Sequence, residues 1–273
     1  MSWSHPVLAE LPGVWRRTYV READGSTDRD SAVTWIQGPS LFGDLRQPPG
    51  LDQVVGRAAL ADLDRAQLLA LCEQKAFAGT LEQQGEAFGW VRRIDLHPRA
   101  ALPDAGTLHR EGEVLVEQGL HEDYLEHWED VEQVGGEVAA ALLADPAAGC
   151  AGLLVRAGSW FGYARDRSEP LPSSPVPLAE LVRGCGSRAE AAALLDCEVS
   201  IGRVRGERWE ILRSTLPQRV GALLRPELSR SGDGLRIRDT DPQGHEHTRA
   251  WELTQAEGAV RLPAGSCGGS ADD

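Results

Sequence analysis

The sequence predicts a mainly β protein built as two antiparallel β-barrels in tandem, each with a short helical insert. Three observations carry this. Short runs alternate apolar and polar residues with the period of two that sends successive side chains to opposite faces of a strand. Clusters of Gly, Pro and Asp separate those runs, as turns require. Two Gly-x-Trp triplets, Gly13-Val14-Trp15 and Gly158-Ser159-Trp160, each open such a run about half a chain apart. With 273 residues, the chain can form two domains of about 130 residues, each large enough to bury a core.

The first run, 13–20, places Trp15, Arg17 and Tyr19 on one face and Val14 and Val20 on the other. Asp24-Gly25 signals a hairpin, because Gly supplies the positive φ of a tight turn. Strands follow at 33–37 and 40–46, the latter with Ser40, Phe42, Asp44 and Arg46 on one face and Leu41 and Leu45 on the other. Residues 57–74 read as a helix carrying Leu60, Leu63, Leu68 and Leu71. The pattern then predicts a strand over 81–94, with Phe88, Trp90, Arg92 and Ile94 sharing a face, and strands near 113–118 and 124–132. Asp145-Pro146-Ala147-Ala148-Gly149 is the expected boundary, giving domains 1–148 and 149–263. In the second half, 153–165 reads as a strand around Trp160, 177–183 and 187–195 as helices, and 197–204, 208–216, 233–240 and 247–254 as strands. The Gly/Ser-rich tail, 264–273, is expected to be disordered.

A Gly-x-Trp at the start of a first strand is a signature of lipocalin-like barrels, in which the Trp plugs the closed end. Beyond that signature, Ser40 to Pro48, Phe77 to Thr80, Tyr124 to Gln133 and Leu153 to Arg165 occur in the order found in the Hrr-kinase-interacting protein family. The chain resembles that family, which is fungal with bacterial relatives. The resemblance implies two lipocalin-like barrels in tandem; it transfers no active site and no kinase partner.

A net charge of −14 argues against nucleic acid or an anionic membrane as partner, since phosphate binding needs clustered cations. The start of the chain lacks the basic and apolar stretches of a secretory signal, and no apolar run is long enough to span a bilayer. The five cysteines (Cys72, Cys150, Cys185, Cys197 and Cys267) are odd in number and lack a C-x-x-C pair, which suits reduced thiols in the cytoplasm. Nothing in the pattern bears on homo-oligomerisation, which stays open.

The densest run of titratable groups is His121 to Asp130. As a strand it points Tyr124, Glu126 and Trp128 one way and Leu125, His127 and Glu129 the other. It is either a solvated acidic edge or the seat of a pocket carboxylate at Glu126, whose aromatic neighbours would raise its pKa and suit it to proton transfer. Asp44 and Arg46 share a strand face, and an inward Arg46 or Arg92 would either cap the indole of the Gly-x-Trp motif or hold an anion. Gly244-His245-Glu246-His247 has the look of a metal doublet but sits at an expected exposed turn without further ligands. No nucleotide-binding glycine motif and no nucleophile elbow are present, so no cofactor and no metal are expected.

These features support a binding protein that holds an apolar or amphipathic small molecule in the N-terminal barrel, contacted by Trp35, Gln37, Phe42, Asp44, Arg46, Trp90, Arg92, Glu126 and Trp128. The alternative is a cofactor-independent isomerase, cyclase or lyase of specialised metabolism, with Glu126, Asp44 or Tyr124 moving protons. A third reading is an interaction scaffold with filled barrels.

Overall fold

The computed structural model describes residues 3–132, 137–172, 176–229, 231–258 and 262. The first sheet contains β1 (Gly13–Arg21), the short β2 (Thr27–Asp28), β3 (Ala32–Gln37), β4 (Leu41–Gln47), β5 (Lys75–Gln84), β6 (Ala87–Asp95), β7 (Ala105–Glu111), β8 (Val114–Gly119) and β9 (Leu125–Glu132). All pairings are antiparallel, and β1 also pairs with β9, so the sheet closes into a barrel. Helices α1 (Leu51–Val55) and α2 (Arg65–Leu71) fill the β4–β5 connection.

The second sheet is built from β10 (Val138–Asp145), β11 (Cys150–Ala157), β12 (Trp160–Arg165), β13 (Glu198–Arg205), β14 (Arg208–Ser214), β15 (Glu227–Leu228), β16 (Gly234–Thr240) and β17 (Glu246–Gly258). It curls into a half-barrel with β14 at one edge and β15 at the other. Residues 221–224 bridge the gap: Leu224 N–H donates to Trp209 O, and Arg238 N–H donates to Leu224 O. Helices α3 (Leu178–Gly184) and α4 (Arg188–Leu195) fill the β12–β13 connection, the place that α1 and α2 take in the first half.

The two halves share that layout at residue level. Ser40-Leu41-Phe42-Gly43-Asp44-Leu45-Arg46 and Ser159-Trp160-Phe161-Gly162-Tyr163-Ala164-Arg165 occupy matching positions at β4 and β12. A glutamate at the end of each half's last strand clasps the other half's serine. Ser40 Oγ donates to Glu257 Oε2 at 2.7 Å, and Ser159 Oγ donates to Glu132 Oε2 at 2.6 Å. Backbone N–H groups join both clasps, from Ser40 and Leu41 in one and Ser159 in the other.

Among the described residues three apolar clusters hold the molecule together. One lies inside the closed barrel and one inside the curled sheet. The third packs the outer faces of the halves against each other, with Val14, Ile36, Leu41 and Leu45 on one side, Val155, Val199 and Ile201 on the other, and the helices around them. Gly38 sits where the halves approach most tightly: a Cβ there would lie 3.0 Å from Ala140 Cβ and 3.2 Å from Val155 Cγ2.

Several sequence expectations are corrected by this geometry. The expected boundary, 145–149, is the β10–β11 turn, tied by Ala147 and Ala148 N–H groups donating to Asp145 Oδ1. The sheets divide instead between β9 and β10. Expected strands 81–94 and 153–165 are both hairpins, β5–β6 and β11–β12. Their turns use Gly85 and Gly158 at positive φ. Thus Gly158-Ser159-Trp160 opens the third strand of its sheet, not the first, and is not the counterpart of Gly13-Val14-Trp15. The helix expected over 57–74 is a single α-helix of 7 residues preceded by a 3-10 turn at Leu60–Asp62, because Asp64 caps its start by accepting from Gln67 N–H. β7 was not expected. Two faces are also split by bulges, each of which advances the chain one residue and reverses every side chain beyond it. On β1 a shift between Arg17 and Tyr19 turns Tyr19 outward and Val20 inward. On β6 a shift places Ile94 in the cluster between the halves while Phe88 and Trp90 stay inside. The expected disordered tail and Cys267 lie outside the described residues; Cys72, Cys150, Cys185 and Cys197 carry no disulfide.

Candidate functional site

Alternation on β1, β3, β4, β6 and β9 delivers a set of large aromatics to the centre of the closed barrel. Trp15 and Trp35 stack with centroids 5.9 Å apart, and Trp35 meets Trp90 and Trp128 edge-on at 6.0 and 5.6 Å. Phe42 meets Phe77 at 6.1 Å. The polar edges of Trp15, Trp35 and Trp128 are satisfied from within. Trp15 Nε1 donates to Leu11 O, and Trp35 Nε1 donates to Gln37 Oε1 at 3.0 Å. Gln37 Nε2 in turn donates to Gly38 O. The guanidinium over the Trp15 indole is that of Arg110, not Arg46.

Charged groups enter this interior from β1, β4, β8 and β9. Arg46 grips Asp44 with two donors, Nε to Oδ1 at 3.0 Å and Nη2 to Oδ2 at 3.2 Å, and gives Nη1 to Glu126 Oε1 at 2.7 Å. Arg17 Nη1 reaches the same Glu126 oxygen at 2.7 Å, and its Nη2 donates to Asp28. Glu126 Oε2 is buried and has no hydrogen-bond partner among the described residues. Glu117 accepts from Tyr124 Oη at 2.7 Å and from Trp128 Nε1 at 3.0 Å. Burial pushes the Glu117 carboxyl up to about 8, and the nearby Glu126 charge adds to the effect. Burial likewise raises Asp44, against the pull of Arg46.

The structure therefore brings Trp35, Gln37, Phe42, Asp44, Arg46, Trp90, Glu126 and Trp128 into one interior, with Tyr124 beside them. Arg92 stands slightly apart, over the Phe77 ring at 3.6 Å and paired with Asp104 and Asp95. These side chains contact one another: Arg46 lies over both Phe77 and Trp128. Sequence reasoning missed Glu117, though its strand, Val114-Leu115-Val116-Glu117, puts a lone charge on the same face as buried Leu115.

The second half repeats the theme. Arg165 pairs with Asp196 at 2.6 Å and with Asp239 at 3.1 Å, Arg249 bridges Asp239 to Asp145, and Arg219 holds Glu198. His245 is exposed and pairs with Asp241 at a turn. Among the described residues no group of three metal-ligating side chains gathers, and no helix is long and apolar enough to cross a membrane.

Open space occurs where β1 and β3 part, with residues of both strand faces around it, Val33 and Arg17 from the interior face among them. A groove of about 420 Å³ lies along β1 and β3, lined by Arg16, Arg17, Thr18, Arg29, Thr34 and, from the second half, Arg213. Arg213 crosses the seam to donate to Ala32 O and Thr34 Oγ1. Sequence reasoning missed this groove because its members are scattered and meet only through the docking of the two halves.

No family model matches the chain, and no curated protein matches it. It is similar to a solved structure, the uncharacterized protein YLR301w of Saccharomyces cerevisiae, at 13% identity and a TM-score of 0.51, over 90% of this chain and 99% of that one. At that identity the likeness shows the fold alone.

Proposed function

We propose that this chain is a lipocalin-like binding protein that takes a small molecule in the groove beside β1 and β3 in the wall of its first barrel. The observation that carries this reading is the contrast between interior and wall. Indoles and phenyl rings in mutual contact occupy the barrel centre, and its arginines are committed to carboxylates, whereas the wall groove is open. Its volume of about 420 Å³ falls within the usual range for small-molecule sites. The interior residues expected to touch ligand act in this reading as the rigid scaffold behind the groove. Membership of the Hrr-kinase-interacting family is part of the same proposal, supported by the ordered sequence match and by the paired layout of the halves. Native mass spectrometry of gently purified protein tests the function: a stoichiometric adduct is expected, and Ala32→Trp, which fills the groove, should remove it. A bare chain mass from several expression hosts would sink the idea.

A second reading, cofactor-independent proton transfer, is favoured by Glu117. It is buried, held protonated near neutrality and joined to Tyr124, which is half-buried. If Glu117 is a catalytic acid, Glu117→Gln abolishes turnover of any substrate found in the adduct screen while the adduct itself persists.

A further inference from the structure

We propose that the wall groove is an oxyanion site that recognises the phosphate group of a small phosphorylated metabolite. The inference rests on the binding-protein reading above and names the chemistry of its ligand. Four guanidiniums line this one groove in a chain whose net charge is −14, a local reversal that focuses anions from solution.

The four are not equally committed. Arg17 is fully engaged by Asp28 and Glu126 at the barrel edge. Arg16 pairs with Glu129 at 2.9 Å, but both side chains are largely exposed, 62% and 46%, and such a surface pair is weak enough to be exchanged for a ligand. Among the described residues Arg29 and Arg213 form no ion pair. Arg29 lies over the Tyr19 ring at 4.4 Å, a contact that places the guanidinium without a carboxylate. Arg213 is held by two neutral acceptors, Ala32 O and Thr34 Oγ1. Neutral acceptors orient a guanidinium without cancelling its charge, and burial pulls the Arg213 pKa below its ordinary value. Burial outweighs the pull of Asp44 and Asp52, so the Arg213 charge is only partly compensated by the protein. Thr34, whose Oγ1 accepts from Arg213, adds a hydroxyl proton to the same wall, whereas the Thr18 hydroxyl donates to His127 O. Guanidinium forks together with a hydroxyl donor match the several oxygens of a phosphate better than the two of a carboxylate. The groove is larger than orthophosphate needs, so an organic moiety accompanies the phosphate.

The β1 bulge is part of this construction. By turning Tyr19 outward it provides the surface on which Arg29 stacks.

The test is isothermal titration calorimetry of the full chain with inorganic phosphate, glucose 6-phosphate and citrate, each against sodium chloride of matched ionic strength. Saturable binding of the phosphomonoester is expected, weakened at least about tenfold by Arg29→Gln. Arg29 is exposed, so this variant keeps the fold. Arg213→Lys should weaken binding as well, and Arg93→Gln, an equal loss of charge on another face, should leave it unchanged. The proposal is overturned by phosphate binding no tighter than the chloride control, by equal weakening in Arg93→Gln, by wild-type affinity in Arg29→Gln, or by a preference for citrate. A phosphorus-free adduct in the native mass spectrum would overturn the phosphate proposal while leaving the binding-protein reading intact.

Discussion

Glu117 gives the sharpest test of the barrel interior. Its carboxyl is buried on β8, accepts from Tyr124 and Trp128, and titrates near 8 in the fold against 4.5 for the ordinary group. Between those values the folded chain holds a proton that the unfolded chain has already released. Stability from this group is therefore complete below about 4.5 and is lost as pH rises through about 8. With these two values, linkage gives a loss of about 2 kcal/mol between pH of about 6 and 8. Glu117→Gln keeps the shape and carries no titrating proton, so it should lack that decline. Urea unfolding of both proteins across this range, with midpoints and slopes compared, makes the measurement. Titrating groups remote from Glu117 contribute equally to both proteins, so the difference between the two curves isolates Glu117 together with the groups its charge acts on, Glu126 and Tyr124. The substitution offsets the variant's curve by a constant, because the amide nitrogen cannot accept from Trp128 Nε1; only the slope matters. Parallel curves would refute the claim that Glu117 is protonated in the folded barrel.

Arg46→Leu should cost about 3–5 kcal/mol in urea unfolding, since it strips the shared cation from two buried carboxylates; a loss under about 1 kcal/mol would contradict the network described here. Gly38→Val should destabilise by about 1–3 kcal/mol, because the halves leave no room beyond the Gly38 backbone, and a Tm equal to wild type would show that the seam opens freely. Glu132→Gln and Glu257→Gln should each cost roughly 1 kcal/mol, the double variant showing the sum, because the clasps lie on different strands and share no partner. Strong coupling between them in a double-mutant cycle would mean that the two clasps are one cooperative unit.

Much of this architecture is legible in the sequence where alternation is unbroken. Phe42, Asp44 and Arg46 face inward and Leu41 and Leu45 outward, as their spacing requires. Likewise Tyr124, Glu126 and Trp128 point together. Alternation fails at bulges, because a bulge leaves no mark in composition: Tyr19 and Ile94 each sit on the face opposite to the simple pattern. Apolar runs also conceal turns, since Gly158-Ser159 interrupts a stretch that reads as one strand. Asp145-Pro146 has the composition of a linker, yet a hairpin turn demands the same residues. The groove was illegible for a different reason. Arg16, Arg29 and Arg213 are far apart in sequence, and each taken alone is an ordinary surface cation.

The internal repeat separates what the fold needs from what is particular to one half. Arg46 and Arg165 occupy matching positions, and each is held against carboxylates, Arg165 buried and Arg46 half-buried. An ionic core present in both halves is a feature of the architecture, since a barrel interior that admits one guanidinium must supply anions to match it. Asp44, by contrast, matches Tyr163, whose hydroxyl is buried without a hydrogen-bond partner among the described residues. Arg16 and Arg29 belong to the first half, and Arg213 joins them only by crossing the seam. On the binding reading proposed above, this groove, supplied by one half and the seam, is where substitutions should change binding without first changing stability.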